Sequence, residues 1–200
     1  MPKLLSISIL KWKGPEDTPV FFGTASDVSD FGFFQRTSVR EMLQFVSRTI
    51  VQRTRPGSRQ TVEHEGYLCH AHNRDGLGAI VVTSHDYPSR SAFCVINEVV
   101  DQFLREFGES WRQQTADVTA AEPMLTSALE RFQDPAQADK LMKIQRDLDE
   151  TKVILHRTIE SMLERGEKLD NLVTKSEDLS LASQMFYKQA RKSNSCCSFM

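Results

Sequence analysis

Excess charge of either sign and long apolar runs are both missing from this 200-residue sequence. Its formal net charge is −2, from 25 Lys and Arg against 27 Asp and Glu. Nucleic acid is therefore not expected as a partner, because phosphate binding needs a concentrated basic face. No apolar run follows a basic start, and none approaches the roughly 20 residues that a transmembrane helix needs. We expect neither a signal peptide nor a membrane-spanning helix.

Cysteine is scarce and never occurs as a CxxC pair, which favours a reducing, cytosolic setting over a disulfide framework or zinc ribbon. His70 and His72 flank Cys69, but no second ligand pair follows at zinc spacing, so core or surface histidines are the favoured interpretation. Cys94 is most simply a small buried hydrophobe. We predict no metal site.

Glycine-rich nucleotide loops are also missing. The pattern Gly76-x-Gly78 lacks a third glycine and a following Lys-Ser/Thr pair. This excludes a small GTPase, and no nucleophile–base pair indicates another enzyme. We expect no enzymatic activity, no cofactor and no small-molecule substrate.

The N-terminal two thirds predict an antiparallel sheet with two amphipathic helices, an α+β domain. The predicted order is ββαβββα, with strands at 4–11, 20–25, 61–63, 67–73 and 77–83, and helices at 38–54 and 88–107. Asp75-Gly76 between two strand patterns indicates a tight hairpin. Ser38-x-x-Glu41 has the spacing of a capping box at the start of the first helix.

One aromatic residue does not fit the core stripe of that first helix. Val39, Leu43, Val46 and Ile50 cluster on one side of the helix, whereas Phe45 points about 120° away, onto a polar face. Scattered surface apolar residues are normal, so this position is compatible with no special role. The alternative is a docking residue for another helix, such as the chain's own C-terminal one.

The C-terminal third contains a heptad track that predicts a long helix, from Pro135 to about Lys192 after a short helix near residues 123–132. Steps of three and four residues reach ten apolar positions, five Ser or Thr and one charge. These seam positions are Leu141, Ile144, Leu148, Thr151, Leu155, Thr158, Met162, Arg165, Leu169, Leu172, Ser176, Leu179, Ser183, Phe186, Ala190 and Ser193. Because the chain contains no second heptad track, this helix is built mainly for partners.

Arg165 is the one charge in the seam. A charged side chain there is costly to desolvate unless partner helices satisfy its guanidinium, and a lone polar seam residue sets register and partner number. Ser176 and Ser183 lie on the same track, where a phosphate would add about −1.5 to −2 charge. We consider them candidate phosphorylation switches.

The last four residues, Cys197-Ser198-Phe199-Met200, match the prenylation pattern Cys-a-a-X, and a terminal Met favours farnesyl. The adjacent Cys196 is a candidate for S-palmitoylation. One prenyl chain gives only reversible membrane binding, so a second lipid would make attachment stable. We therefore expect membrane contact through the C-terminal lipids.

The residues together resemble a known family, the prenylated longin-type R-SNAREs. The resemblance rests on Leu148–Lys152, Leu163–Leu169 and the Cys-a-a-X end, with the N-terminal stretches Asp30–Arg36, Tyr67–His70 and Tyr87–Arg90 resembling the family's longin domain. It implies a profilin-like longin domain with a five-stranded antiparallel sheet at residues 1–134, a long helical SNARE coiled-coil motif at 135–195 and a lipidation tail at 196–200.

The resemblance also implies a function. Arg165 would be the central-layer residue that meets three glutamines from three Q-SNARE helices in a parallel four-helix bundle. Cys197 would carry farnesyl, and Cys196 palmitoyl or a second prenyl group. The implied role is vesicle docking and fusion in ER–Golgi, intra-Golgi and endosomal or vacuolar transport, in the cytoplasm and on the cytoplasmic face of those membranes. The family's closed form, in which the SNARE helix and the lipid fold back onto the longin domain, would give Phe45 an autoinhibitory docking role.

A lipid-anchored coiled-coil adaptor that tethers membranes is the alternative. Stoichiometry separates the two functions, because fusion needs a parallel bundle with three other SNARE helices, whereas a tether typically forms a dimer.

Overall fold

The computed structural model describes residues 2–144 and 152–196. Its strands and helices follow the alternation of strand and helix patterns in the sequence. In chain order they are β1 (Leu4–Lys11), β2 (Val20–Ser26), α1 (Arg36–Gln52), β3 (Arg59–His64), β4 (Tyr67–Arg74), β5 (Leu77–Ser84), α2 (Ser89–Phe107), α3 (Glu122–Arg131), α4 (Pro135–Ile144), β6 (Val153–His156), α5 (Leu169–Lys175) and α6 (Leu181–Cys196). Single 3₁₀ turns occupy Phe33–Gln35, Ser110–Gln113 and Ile159–Met162.

The sheet has the strand order β2-β1-β5-β4-β3-β6. The first five strands pair antiparallel, as predicted, and the α+β class is confirmed. Asp75 and Gly76 join β4 to β5 with positive φ angles of 53° and 95°, the backbone that a two-residue hairpin requires. The sheet has six strands rather than five, because β6 pairs parallel to β3, with Arg59 opposite Val153.

Helices cover both faces of the sheet. On one face, α2, α3 and α4 enclose a core around Ile7, Phe103 and Leu125. On the other face, α1 and the segment after residue 152 enclose a second core around Val46 and Ile80. A sheet buried on both sides explains why nearly every residue of β1 and β5 is buried.

The capping-box prediction at Ser38 and Glu41 is wrong. Helix α1 begins two residues earlier, at Arg36, and its N-cap residue Gln35 makes no side-chain capping bond. Glu41 instead accepts the N–H of Ser180, the residue before α6, and Ser38 bonds to Ser183 in the first turn of α6. Asp134 caps α4, since its Oδ1 accepts the Ala136 N–H at 3.0 Å.

The prediction of one unbroken helix from Pro135 to Lys192 is wrong for this conformation. Across the described part of that stretch, α4 is followed by β6, a 3₁₀ turn, α5 and α6. Several seam residues, among them Leu169 and Leu179, are buried against the N-terminal domain, and the backbone bends to follow that surface. Heptad spacing identifies the apolar residues that favour burial on one face. The surface against which they pack then determines the backbone conformation of the segment.

No helix in the two described ranges is long and apolar enough to cross a membrane.

Candidate functional site

Helix α1 carries the surface on which the C-terminal segment (residues 152–196) rests. Its sheet-facing side is buried through Val39, Val46 and Ile50. A second stripe, at Glu41, Phe45 and Arg48 with spacing of four and three residues, faces away from the sheet's centre. A helix with two differently used faces is typical of an element between a core and a docked segment.

Phe45 is buried although its helical-wheel position predicts a polar face. The side chain is only 4% exposed. It belongs to the same apolar cluster as five buried residues of the C-terminal segment, namely Ile159, Leu169, Val173, Leu179 and Tyr187. The C-terminal segment therefore covers the face of α1 that the N-terminal domain leaves open.

Arg48 forms an ionic clamp beside Phe45. Its Nε and Nη2 donate to the two carboxylate oxygens of Asp178, each at 2.8 Å, and Nη2 also donates to Asp117 at 2.6 Å. The guanidinium lies over the Phe21 ring and donates to the carbonyl of Pro19. Although burial works against its charge, these carboxylates raise the pKa of Arg48. The clamp joins α1 and the loop before α3 to the α5–α6 connection.

Arg53 forms a second clamp one turn further along. Its Nη2 donates to both carboxylate oxygens of Glu167, at 2.8 and 3.0 Å. Burial works to raise the pKa of Glu167, but the Glu164 N–H and Arg53 outweigh it and hold that pKa below its usual range. Arg48 of α1 and Arg53, which directly follows the helix, thus hold two carboxylates of the C-terminal segment.

A third set of polar contacts joins the start of α1 to α6. Glu41 accepts the Ser180 N–H at 2.8 Å, and Ser183 Oγ lies 3.1 Å from Ser38 Oγ. Burial again works to raise the pKa of Glu41, but hydrogen bonds from Ser183 and Ser180 lower it overall. These contacts run in opposite chain directions, so α6 lies antiparallel to α1.

The predicted seam residues fall into distinct groups. Leu169, Leu179 and Ser183 are buried. Those that are partly buried are Leu141, Met162, Leu172, Ser176, Phe186 and Ala190. Leu155, on β6, is 76% exposed. Leu148 lies outside the described residues, and Ile144 belongs to α4. The buried group lies in the second half of the seam.

Among the other predicted site residues, Arg165 is fully described and does not lie in this interface. Arg165 is exposed, between the 3₁₀ turn and α5. Helix α6 ends at Cys196, and Cys197 lies outside the described residues. The roles predicted for Arg165, Cys196 and Cys197 stay predictions.

An apolar cavity of about 340 Å³ lies between α1, the β3–β4 turn and α6. Its lining includes Met42, Leu43, Tyr67, Phe186 and Ala190. Tyr187 also lines it, and burial raises the pKa of that phenol to about 12. The volume is within the range of about 300–1,000 Å³ that is typical of small-molecule sites.

The histidine and cysteine pattern on β4 is structural. His70 is fully buried between the hydroxyls of Thr61 and Thr83, with ring nitrogens 3.0 and 3.3 Å from them. Burial lowers its pKa to about 4 and raises the pKa of Cys69 to about 12. Cys94 is buried as predicted.

The clamp residues Arg48, Arg53 and Asp178 are not among the residues predicted from the sequence. A signal was present, because Glu41, Phe45 and Arg48 share one helical stripe with Gln52. An amphipathic helix with an aromatic residue and ionic residues along its second face indicates a docked neighbour, but charges on a helix are usually only solvated.

Comparison with known proteins matches both parts of the chain. Residues 28–132 match the longin family, a regulated-SNARE-like domain, and residues 140–197 match the synaptobrevin family. The VAMP-like protein YKT61 of Arabidopsis thaliana is 56% identical over 99% of this chain and 100% of its own length. The synaptobrevin homolog ykt6 of Schizosaccharomyces pombe is 46% identical over 98% of each chain.

Three findings indicate the same family. They are a longin fold with helices on both faces of its sheet, a heptad track that packs against it and full-length similarity to these relatives. Longin and synaptobrevin proteins act in membrane fusion without being enzymes, and the predicted absence of enzymatic activity follows from that membership. The chain belongs to the longin-type synaptobrevin family, the R-SNARE proteins of vesicle fusion.

Proposed function

We propose that this R-SNARE pairs with three Q-SNARE helices in a parallel four-helix bundle, and that its longin domain inhibits this pairing in the closed form. The observation that carries the proposal is the burial of Leu169, Leu179 and Ser183 against the α1 side of the sheet. Partner helices and the longin domain need the same side chains, so the two associations compete.

In the bundle, Arg165 is the central-layer residue. Its exposure in the closed form supports this role, because an arginine without a buried partner surface is free to meet three glutamines. Zippering from Leu141 toward Ser193 then draws the C-terminus toward the partner membrane.

The membrane anchor is a farnesyl group on Cys197 together with a palmitoyl group on Cys196. In the closed form, the apolar cavity beside Phe186 and Ala190 holds the prenyl chain. Ala190, which lines the cavity, lies less than two helical turns before Cys196, about 9 Å along the α6 axis. A prenyl chain that folds back along α6 therefore reaches the cavity. The covalent lipids are the only cofactor-like groups that the proposal needs.

The proposed sites of action are ER–Golgi, intra-Golgi and endosomal or vacuolar transport. The protein would cycle between the cytoplasm, in its closed form, and the cytoplasmic face of those membranes, in its open form. Reversible palmitoylation would control the cycle, since one prenyl chain alone binds a membrane weakly.

Co-purification in detergent, with identification of the bound helices, tests the pairing. We expect three Q-SNARE helices with the parent chain and altered selectivity with Arg165→Leu. Arg157→Leu is the matched control, because Arg157 is also exposed but lies off the seam. Selectivity and fusion unaltered in Arg165→Leu would contradict the central-layer assignment, and a dimer instead of a four-helix complex would favour the tethering adaptor.

A further inference from the structure

The loop before α1 exposes two adjacent aromatic rings. Phe33 is 76% and Phe34 is 95% exposed, and their ring centroids are 5.5 Å apart in an edge-to-face arrangement. Neither side chain is part of the two apolar cores, whereas the neighbouring Phe31 lines the cavity described above. Fully burying a Phe side chain is favourable by roughly 1.5–3 kcal/mol, so an exposed pair indicates a surface that becomes covered.

Helix α6 extends this apolar surface. Leu181 and Met185 are 79% and 71% exposed, and they lie one turn apart on the same side of α6. Neither is a seam position, so both stay outward in a helical bundle as well. The seam residues and this exposed stripe therefore lie on different sides of α6.

The antiparallel contact between α1 and α6 brings these groups to the same end of the molecule. Glu41 meets Ser180 and Ser38 meets Ser183, and that register puts Leu181 at the level of Arg40 and Met185 at the level of Arg36, the first residue of α1, which follows the aromatic pair closely in the chain. We name the exposed set the outer face, comprising Phe33, Phe34, Arg40, Leu181, Met185 and Lys188.

The charges of the outer face favour an anionic surface. Arg40 and Lys188 are both exposed. The acidic residues nearest to the aromatic pair in the chain, Asp27 and Asp30, are paired with Lys3 at 3.3 and 2.7 Å. Exposed basic residues beside aromatic and aliphatic side chains are the composition of a membrane-surface element.

The position of the outer face favours a bilayer over a protein partner. Helix α6 continues from Lys188 to Cys196, eight residues or about 12 Å along its axis. The C-terminal end is the membrane-proximal end in this family, and Lys188 is the outer-face residue that lies nearest to Cys196 along α6. Aromatic rings are enriched at membrane interfaces because they combine an apolar body with tolerance of the polar headgroup layer.

We propose that the outer face inserts Phe33 and Phe34 into the headgroup region of an anionic bilayer while the C-terminal segment is still closed. The longin domain then contributes to membrane contact as well as to inhibition. Contact of the outer face with the membrane would precede release of the buried seam residues from the longin domain. This inference rests on the membrane association of the family and goes beyond the proposed pairing and lipid anchor.

Vesicle flotation tests the inference with the full chain, in its bacterially produced and its eukaryotically produced, tail-modified forms. The probe is phosphatidylcholine vesicles with about 30 mol% phosphatidylserine. We expect the Phe33→Ser/Phe34→Ser variant to lose about tenfold in bound fraction. The matched control is Ile154→Ser, which removes an exposed apolar residue of β6 that lies off the seam and leaves flotation unchanged.

A bound fraction of Phe33→Ser/Phe34→Ser within about twofold of the parent in both preparations would overturn the proposal. So would a parent chain that floats in neither preparation. If flotation is unchanged but the variant loses a protein from its detergent co-purification, the aromatic pair is a protein-docking site instead. The detergent assay with Q-SNARE helices uses no bilayer, and it should be unaffected by the substitution. Failure of the bundle proposal would therefore be seen in the detergent co-purification, whereas failure of this inference would be seen in vesicle flotation.

Discussion

The guanidinium of Arg48 and the carboxylate of Asp178 form a bidentate ion pair between the longin domain and the C-terminal segment, with both hydrogen bonds 2.8 Å long. Both side chains are largely buried, at 14% and 16% exposure. The two charges of a bidentate pair with little access to water attract each other more strongly than those of an exposed pair, and each is costly to leave unpaired. Its two residues are 130 positions apart, so the pair reports directly on the closed form.

Breaking the Arg48–Asp178 pair should open the chain. We expect Asp178→Ala and Arg48→Ala each to raise amide exchange across α5 and α6, with a coupling free energy of about 1–2 kcal/mol in the double-mutant cycle. Hydrogen exchange at neutral pH measures this. Glu98→Ala is the control, since its pair with Arg105 is 3.7 Å long and Arg105 is 63% exposed. A coupling energy near zero would show that the pair does not hold the segment.

Phe45→Glu should favour the open form more strongly than either clamp variant. The substitution puts a carboxylate into an apolar cluster, which costs several kcal/mol unless the segment leaves. We expect faster exchange in α5 and α6 and a smaller cytosolic fraction. Phe34→Glu is the matched control for exchange, because that ring is already exposed. An unchanged cytosolic fraction in Phe45→Glu would refute the docking role.

Phosphorylation should act unequally at Ser176 and Ser183. Ser183 is fully buried with its hydroxyl against Ser38, whereas Ser176 is partly exposed and accepts the Asp178 N–H at 3.1 Å. A charge at Ser183 is incompatible with that packing. We expect Ser183→Asp to open the chain more than Ser176→Asp, by hydrogen exchange.

The same phosphomimics should weaken the bundle, because both positions face the seam. Co-purified Q-SNARE helices should fall for Ser183→Asp and Ser176→Asp but not for Ser127→Asp, an exposed position on α3. Bundling at the parent level would exclude a phosphorylation switch at these serines.

Acid should loosen the closed form. Burial works to raise the pKa of Glu167 and Glu41, but their hydrogen bonds, and for Glu167 the Arg53 charge, lower it overall. A lowered pKa in the closed state means that stabilisation is complete above the ordinary carboxylate pKa and is lost as pH falls through the closed-state value. We therefore expect opening below about pH 4.

Small-angle scattering from neutral pH downward measures that opening as a rise in the radius of gyration. Arg53→Ala should reduce the share of the pH dependence that comes from Glu167, since it removes the cationic partner and leaves the hydrogen bond from the Glu164 N–H. A radius that stays constant until the longin domain itself unfolds would show that these carboxylates do not control closure.

Local patterns in the sequence determine most of the longin domain. Alternating residues and Asp75-Gly76 specify the β4–β5 hairpin, and the apolar stripe of α2 specifies a buried helix. These elements follow from contacts close in the chain and from simple two-sided burial. Even the misfit of Phe45 is a local property, because the angle between helical positions depends only on their spacing.

Only the tertiary structure decides what the heptad track does. Its spacing states that Leu169, Leu179 and Ser183 share a face, and that face suits a partner helix and the α1 surface equally. The β6 strand depends on the free edge of β3, far away in the sequence, and the Arg48–Asp178 pair depends on a chain reversal that no local pattern specifies. Because two partners compete for one seam, the backbone conformation of the seam depends on which partner it packs against. In this structure that partner is the chain's own longin domain.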